Sequence, residues 1–271
     1  MAPLGKNIAD TGSAWYTFTT HQFTSADGLR HYQVWTGTPR KTVPGGYPVL
    51  YMLDGNAVMS RLDDTLLARL SHGTPPVIVA VGYRGNLPFD RQGRSLDYTP
   101  PGSQDNTGRQ RDITYGGSRQ FLTLLTRTIM PAAEKGIAVN PARRGLWGHS
   151  YGGLLVMDAW QHAGNFSRYY SASPSFWLTN YRQVDQLRHP SAGSPSARLF
   201  LMEGTQEGER RGRTPGTTPR SSEQVASQLR AAGQNIQLIS YPGLSHGAMF
   251  PASLADALLD TAGVAPLSAR Q

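Results

Sequence analysis

The sequence predicts an α/β fold in which helices cover both faces of a mostly parallel central sheet. Short apolar runs bounded by turn residues alternate with segments of helical spacing, which is typical of parallel strands joined by helical crossovers. An alternating, aromatic-rich pair of stretches precedes them and predicts an antiparallel hairpin at the N-terminal edge of the sheet. The chain has 271 residues and no convincing linker, so we interpret residues 1–271 as one domain.

The elements follow in chain order from these patterns. The hairpin is predicted at 15–19 and 31–35, on either side of the turn signal Ala26-Asp27-Gly28. Buried parallel strands are predicted from compact apolar runs at 49–53, 77–81, 145–147, 168–172, 198–202 and 236–241. Helical spacing is found at 61–70, 121–133, 154–163, 222–232 and 252–259. Two polar segments rich in Gly, Pro and Arg are predicted to be long loops, at 83–117 and 205–220.

The composition limits the classes of function. The chain has no Cys, which excludes disulfides, thiolate metal sites and a cysteine nucleophile. No apolar run is long enough for a membrane helix, and the first six residues lack the apolar stretch of a signal peptide. The net charge of +8 fits an anionic small substrate, a nucleic acid or an anionic surface, or serves solubility alone. Because no nucleic-acid-binding module is present, we favour the anionic substrate.

A nucleophile motif occupies Gly148-His149-Ser150-Tyr151-Gly152, which matches the G-x-S-x-G pattern. The predicted strand 145–147 leads directly into it and the apolar segment from Leu154 follows it, as the sharp strand-to-helix turn of a nucleophile elbow requires. This context predicts an α/β-hydrolase fold with Ser150 as the nucleophile.

A serine hydroxyl needs a neighbouring imidazole to take its proton, and in this fold the histidine follows the last strand. His246 lies there, whereas surface or capping roles are favoured for the other histidines, including His149. The acid that orients the base should follow the penultimate strand, where Glu203, Glu207 and Glu209 cluster. Glu207 has the best position, but an ion pair with Arg210 or Arg211 is equally compatible with the sequence, and so is a Ser–His pair without an acid.

The oxyanion hole requires two backbone N–H groups directed at the developing negative charge. One belongs to the residue after the nucleophile, which is Tyr151. The second should follow an early strand, and the turn Leu53-Asp54-Gly55-Asn56 ends one. We therefore predict the N–H of Asn56 as the second donor, although an ordinary Asp-Gly turn would use the same residues.

Long blocks of the chain resemble the esterase D-type α/β-hydrolases, and within them the periplasmic catecholate siderophore esterases that cleave enterobactin and salmochelin. The similarity covers nearly the whole chain. It is carried by YMLDGNAVM at 51–59, TPPVIVAVGY at 74–83, NLPFD at 86–90, RRGLWGHSYGG at 143–153, YYSASPS at 169–175 and HGAMF at 246–250.

The resemblance implies that Ser150 opens a tri-serine lactone and that His246 acts as the base, in a Ser–His pair that lacks the usual aspartate. It thereby makes Glu207 a weaker candidate. It also implies a periplasmic location, no cofactor and no metal site, with iron present only in a ferric or iron-free catecholate siderophore as substrate.

An anionic substrate gives the arginine-rich loop a chemical reason, because arginine combines a permanent charge with a face that stacks on aromatic rings. The loop and its flanks carry Arg84, Arg91, Arg94, Arg109, Arg111 and Arg119. We predict that Arg84 and Trp177 contact the substrate, with a packed Trp177 as the alternative. A general carboxylesterase or thioesterase, a non-catalytic siderophore-binding protein and an acyltransferase remain competing functions.

Overall fold

One eight-stranded sheet runs through the part of the chain that the computed structural model describes, residues 1–105, 112–186, 197–207, 219–264 and 267–269. Its strands are Tyr16–Thr24 (β1), His31–Pro39 (β2), Tyr47–Met52 (β3), Val77–Tyr83 (β4), Val139–His149 (β5), Arg168–Ala172 (β6), Arg198–Gly204 (β7) and Ile236–Tyr241 (β8). They lie side by side in the order β1-β2-β4-β3-β5-β6-β7-β8.

The strand directions confirm the predicted topology. Strands β1 and β2 form an antiparallel hairpin, and β2 pairs antiparallel with β4. From β4 onward all neighbours are parallel. The carboxyl ends of the parallel strands therefore meet at one edge, where sites form in this class of fold.

Helices cover both faces of the sheet, as predicted. They are Ile8–Thr11 (α1), Gly55–Met59 (α2), Asp64–Ser71 (α3), Arg91–Asp97 (α4), Ser118–Leu124 (α5), Met130–Glu134 (α6), Tyr151–His162 (α7), Arg182–Asp185 (α8), Ser222–Ala231 (α9) and Met249–Ala262 (α10).

Side chains that alternate along β3 point into two separate core layers. Val49 and Tyr51 pack with Leu155 of α7 in one layer. Leu50 and Met52 are in the other layer, which includes residues of α3 and α10. This period of two places each face of the strand against its own set of helices.

The structure differs from the sequence prediction at several boundaries. The segment 83–117 is not loop throughout, because α4 forms within it: Asp90 caps the helix by accepting the Gly93 N–H at 2.8 Å, and Arg94 is held by an ion pair. The apolar spacing did not predict α4 because polar and glycine residues form most of it.

Strand β5 begins at Val139 rather than at residue 145. Its first half is polar and half-exposed, so it lacks the apolar run that predicted the other strands. A π-helical turn at Leu125–Ile129 joins α5 to α6. Arg109, Arg111, Glu209, Arg210 and Arg211 lie outside the described residues.

Candidate active site

Ser150 lies on a sharp turn between β5 and α7, with a backbone φ of 64° and ψ of −114°. A positive φ is strained for a residue with a side chain, and such strain is characteristic of nucleophile elbows. The neighbouring glycines allow the close approach: a Cβ on Gly148 would collide with the carbonyl oxygen of Gly152, and one on Gly153 would lie 2.9 Å from the oxygen of Ala172. The Ser150 N–H donates to that same Ala172 oxygen at 2.9 Å.

Three side chains from separate loops form a hydrogen-bonded series at this turn. His246 Nε2 lies 3.0 Å from Ser150 Oγ, and His246 Nδ1 lies 3.0 Å from Glu207 Oε1. His246 lies between β8 and α10, and Glu207 lies three residues after β7. Of the alternatives that the sequence left open, this geometry fits the one in which Glu207 is the partner of His246, because the loop after β7 turns Glu207 back toward the imidazole.

Glu207 is 2 % exposed and remains ionised. Burial raises its pKa, but hydrogen bonds with His246 and Glu203 and from the Gly204 N–H lower it by more, to about 2. The Gly204 N–H donates to Oε2 at 2.6 Å, so the second oxygen, Oε1, faces His246. The negative charge is therefore available to orient the imidazole at neutral pH.

The protonation states in this series follow from Glu207. A carboxylate only accepts, so His246 Nδ1 carries the proton between them, and Nε2 accepts from the Ser150 hydroxyl. Ser150 Oγ also lies 3.0 Å from Ser175 Oγ. Because the single Ser150 proton points at His246, Ser175 is the donor in that second contact. Ser175 is 3 % exposed, and sequence analysis gave it no role beyond the family block that contains it.

His149 supports the base rather than serving as a surface or capping residue. Its Nε2–H donates to the backbone oxygen of His246 at 2.8 Å, and the two rings lie 4.7 Å apart. Burial lowers the pKa of His149 to about 3, and the positive charge that His246 can carry adds to this effect. His149 is therefore neutral and fixes the loop that carries His246. Its position within the elbow motif is the only sequence signal that could have indicated this contact.

The two predicted oxyanion-hole donors both lie in the first turn of a helix, where N–H groups have no intrahelical acceptor. Tyr151 is the first residue of α7 and Asn56 is the second residue of α2. The Asn56 side chain is tied to the end of β4: Oδ1 accepts the Tyr83 N–H at 2.8 Å, and Nδ2 donates to the Tyr83 oxygen at 2.9 Å. This pairing fixes the Asn56 backbone, but its role as a donor stays a prediction.

Comparison with known proteins identifies the family. Residues 29–261 match a family model described as "Putative esterase". The chain belongs to this esterase family. One relative is an apo-salmochelin esterase of Escherichia coli O6:H1 strain CFT073, to which the chain is 47 % identical over 275 aligned positions. This alignment covers 97 % of the chain and 85 % of the relative. The structure of the chain is similar to that of the enterobactin and salmochelin hydrolase IroE, with a TM-score of 0.80, 44 % identity, and coverage of 94 % of this chain and 99 % of the other. IroE has also been solved in complex with the serine-hydrolase inhibitor DFP.

An ion pair between Arg94 and the buried Asp54 lies next to the active site of the esterase. The guanidinium of Arg94 binds both carboxylate oxygens of Asp54, at 2.8 and 3.0 Å, and lies 5.2 Å from the ring centre of Tyr151. Burial lowers the pKa of Arg94, but the charge of Asp54 raises it above its ordinary value, so Arg94 stays cationic. This pair links the turn that carries Asn56 to the start of α7. Sequence analysis placed Arg94 only among the loop arginines.

The two predicted substrate contacts of the esterase have different surroundings. Arg84 is exposed and lines a cleft with His31, Asp90 and Gln92; none of Ser150, Glu207 and His246 lines that cleft. Trp177 is half-buried against the core in the short 3₁₀ helix Phe176–Thr179, two residues after Ser175. Trp177 therefore lies two residues from Ser175, whose Oγ contacts Ser150 Oγ, and Arg84 lies between Tyr83 and Gly85, whose backbone oxygens accept from Asn56 Nδ2. Substrate binding by either residue stays a prediction.

The described residues of the esterase contain neither a membrane-spanning helix nor a cluster of metal ligands. None of its described helices combines the length and apolar character needed to cross a bilayer. No group of three or more His, Asp or Glu side chains in the same ranges is arranged to hold a metal ion.

Proposed function

We propose that this esterase hydrolyses the tri-serine lactone of enterobactin-type siderophores, ferric or iron-free, to linear catecholoyl-serine products. The observation that carries the proposal is the Glu207–His246–Ser150 series, with both contacts at 3.0 Å, on a chain 47 % identical to an apo-salmochelin esterase. The hydrogen bonds put a base within reach of the nucleophile, as acyl transfer by serine requires.

In the acylation step, Ser150 Oγ attacks the ester carbonyl carbon while its proton passes to His246 Nε2. The negative charge of Glu207 stabilises the imidazolium that forms. The backbone N–H groups of Asn56 and Tyr151 donate to the oxygen of the tetrahedral intermediate. The bond between the carbonyl carbon and the leaving serine oxygen then breaks, and that oxygen takes the proton from His246.

In the deacylation step, water attacks the acyl-enzyme and gives its proton to His246 Nε2. The bond between the acyl carbon and Ser150 Oγ breaks, and the proton returns to Oγ. Ser175 acts in both steps through its hydroxyl, which donates to Ser150 Oγ at 3.0 Å and stabilises the negative charge that develops on that oxygen as it loses its proton in acylation and leaves the acyl carbon in deacylation.

The charge of the chain favours an anionic substrate. Of its 26 basic residues, three are Lys and therefore 23 are Arg, and the net charge is +8. A ferric tricatecholate is anionic and aromatic, so arginine can both attract it and stack on its rings. We retain Arg84 and Trp177 as candidate contacts for the catechols. Iron enters this reaction as part of the substrate.

We also place the esterase in the periplasm. The support is its resemblance to periplasmic siderophore esterases. Fractionation of cells that express the full-length gene tests this location: recovery of the esterase with cytoplasmic markers contradicts it.

The substrate is tested by comparing kcat/KM for ferric enterobactin, iron-free enterobactin and a simple aryl ester, with products identified by mass spectrometry. We expect a siderophore to be preferred and linear serine esters to form. A large preference for the aryl ester would instead indicate a general carboxylesterase, and acyl groups found on another acceptor would indicate a transferase. The Ser150→Ala variant should bind the siderophore with unchanged affinity and form no product; product formation by this variant removes Ser150 from the mechanism.

A further inference from the structure

A second cleft, of about 350 Å³, lies beside the middle of β5 and the amino ends of β6 and β7. Four arginines line it: Arg143, Arg144, Arg168 and Arg198. We name this the arginine cleft. It is at the opposite end of β6 and β7 from Ser150: Arg144 and His149 are five residues apart on β5, a separation of about 16 Å in an extended strand.

The strand register brings like charges side by side in this cleft. Arg168 on β6 pairs directly with Arg198 on β7, and its neighbour on the other side is Gly145 of β5, which follows Arg143 and Arg144. Like charges at adjacent positions of neighbouring strands repel and destabilise a sheet. Such a placement is unfavourable unless an anion lies between the cations.

Carboxylates balance only part of this charge. Arg144 binds Glu134, with Nε to Oε2 at 2.9 Å, and Arg168 binds Asp260 at 2.7 Å. Within the described ranges, Arg143 and Arg198 form no ion pair, and both are exposed. Strand alternation turns the Arg144 side chain, with Glu134, toward the opposite face of the sheet, which Leu146 and Tyr51 share. In the described part of the chain, the three cations Arg143, Arg168 and Arg198 therefore face the carboxylate of Asp260, which leaves a local charge of +2.

An ion pair also orders one guanidinium group of the cleft before any ligand arrives. Arg168 is held by Asp260 and lies 5.8 Å from the ring centre of Phe200. A preordered guanidinium loses less conformational entropy when it binds an anion.

We propose that the arginine cleft binds a phosphate group. A phosphate carries a charge of about −1.5 to −2 at pH 7, which matches the local charge of the cleft, and its oxygens accept the paired N–H groups of guanidinium. The concave shape favours a compact anion over a flat macromolecular surface. Free phosphate and the phosphodiester headgroup of an anionic phospholipid both offer oxygens that accept from guanidinium, although the diester carries a single negative charge, and the experiment below distinguishes the two sources.

Phosphate binding in the arginine cleft is independent of the esterase reaction, because the cleft lies at the amino ends of β6 and β7, whereas Ser150 follows the carboxyl end of β5. Phosphate should therefore bind to the Ser150→Ala variant as it does to the wild type. Conversely, loss of phosphate binding should leave the hydrolysis of a neutral aryl ester unchanged.

Isothermal titration calorimetry with inorganic phosphate, in a phosphate-free buffer of low ionic strength, tests the site. The double variant Arg143→Gln/Arg198→Gln should bind phosphate at least about tenfold more weakly, because it loses two charge-assisted hydrogen-bonding groups. The control is Arg61→Gln/Arg230→Gln, which removes two exposed arginines elsewhere and the same total charge. It should change the phosphate affinity by less than about twofold, since distant exposed charges are screened.

Co-sedimentation with vesicles of phosphatidylglycerol or of phosphatidylcholine tests whether the esterase binds a phospholipid headgroup. Binding to phosphatidylglycerol vesicles that the Arg143/Arg198 double variant loses and the control keeps identifies a phospholipid headgroup as the source. Phosphate binding without vesicle binding identifies a free phosphate. If the wild type binds neither, or if both double variants lose binding equally, the proposal is overturned. Because Arg143 and Arg198 are exposed, the Arg143/Arg198 double variant should fold, and an unchanged circular dichroism spectrum checks this. If the double variant does not fold, the single variant Arg198→Gln replaces it in both binding assays.

Discussion

Replacing Glu207 by Gln exchanges one acceptor oxygen for an amide donor at the buried end of the catalytic series. In the wild type, Oε1 accepts the proton of His246 Nδ1 and Oε2 accepts the Gly204 N–H at 2.6 Å. A Gln side chain has only one oxygen and therefore satisfies only one of these donors. The Gly204 N–H is a fixed backbone donor, whereas imidazole can change its tautomer. We therefore expect the Gln oxygen to face Gly204 and the NH₂ group to face His246.

The expected fall in kcat of Glu207→Gln follows from this orientation of the amide. With NH₂ facing Nδ1, that nitrogen must accept, and Nε2 carries the proton that points at Ser150. The imidazole then cannot act as the base in its resting state, and a wrong tautomer of this kind lowers kcat by about 10⁴-fold in the serine-protease triad. Had the oxygen faced His246, only the charge of the hydrogen bond would be lost, which costs about tenfold. We expect a fall in kcat of about 10³-fold or more.

The assay is the steady-state hydrolysis of an ester by Glu207→Gln, beside a matched control, Glu223→Gln. Glu223 is an exposed acid in the first turn of α9, and the control should keep wild-type kcat. The melting temperature of both variants checks that they fold. A kcat for folded Glu207→Gln within about threefold of the wild type would refute the reasoning and support a Ser–His pair that works without an acid.

Three further predictions concern the surrounding residues. Ser175→Ala should lower kcat by about fivefold, the loss expected for one hydrogen bond, and should slow the labelling of Ser150 by DFP, whereas Ser175→Thr should restore both; equal labelling rates for all three proteins contradict donation by Ser175. Because His149 has a pKa of about 3 when folded and an ordinary value of 6.5, the unfolded chain binds one more proton in that window, so the free energy of unfolding falls as the pH drops from 6.5 toward 3. Urea unfolding of His149→Gln should show a slope shallower by up to about 1.4 kcal/mol per pH unit, and an unchanged slope assigns the pH dependence to other groups. Arg94→Gln leaves Asp54 buried without its cation and should lower the free energy of unfolding by about 3 kcal/mol in the same assay, whereas exposed Arg61→Gln should cost less than about 0.5 kcal/mol; similar costs for both mean that the Arg94–Asp54 pair does not brace the fold.

Strands β3, β4, β6 and β7 were predictable because they are short apolar runs that the sheet buries on both faces. Helix α4 was not, since its stability comes from partners distant in sequence: Arg94 pairs with Asp54, and Asp97 accepts the hydroxyl groups of Tyr32 and Tyr83, each at 2.7 Å. No local periodicity records such contacts. The polar first half of β5 was missed for a related reason, because it forms by pairing with β3 and not by burial of its own side chains.

Within the site, the sequence alone predicted Ser150 as the nucleophile and His246 as the base. Ser150 is specified by glycines that only a sharp turn needs, and His246 by its place after the last strand, so both signals are local. The partners of these residues were decided by tertiary structure. Glu207, Ser175 and His149 act through distances of about 3 Å between loops that are far apart in the chain.

The physical reason is that hydrogen bonds depend on distance and direction to within a few tenths of an ångström, whereas a sequence specifies only which groups are available. Three glutamates follow β7, and nothing in their order tells which one faces the imidazole. The Gly204 N–H, fixed by the end of the strand, holds one oxygen of Glu207 and turns the other toward His246. In this protein the sequence determined which residue is predicted as the nucleophile, and the packing of the loop after β7 decided which acid contacts the imidazole beside it.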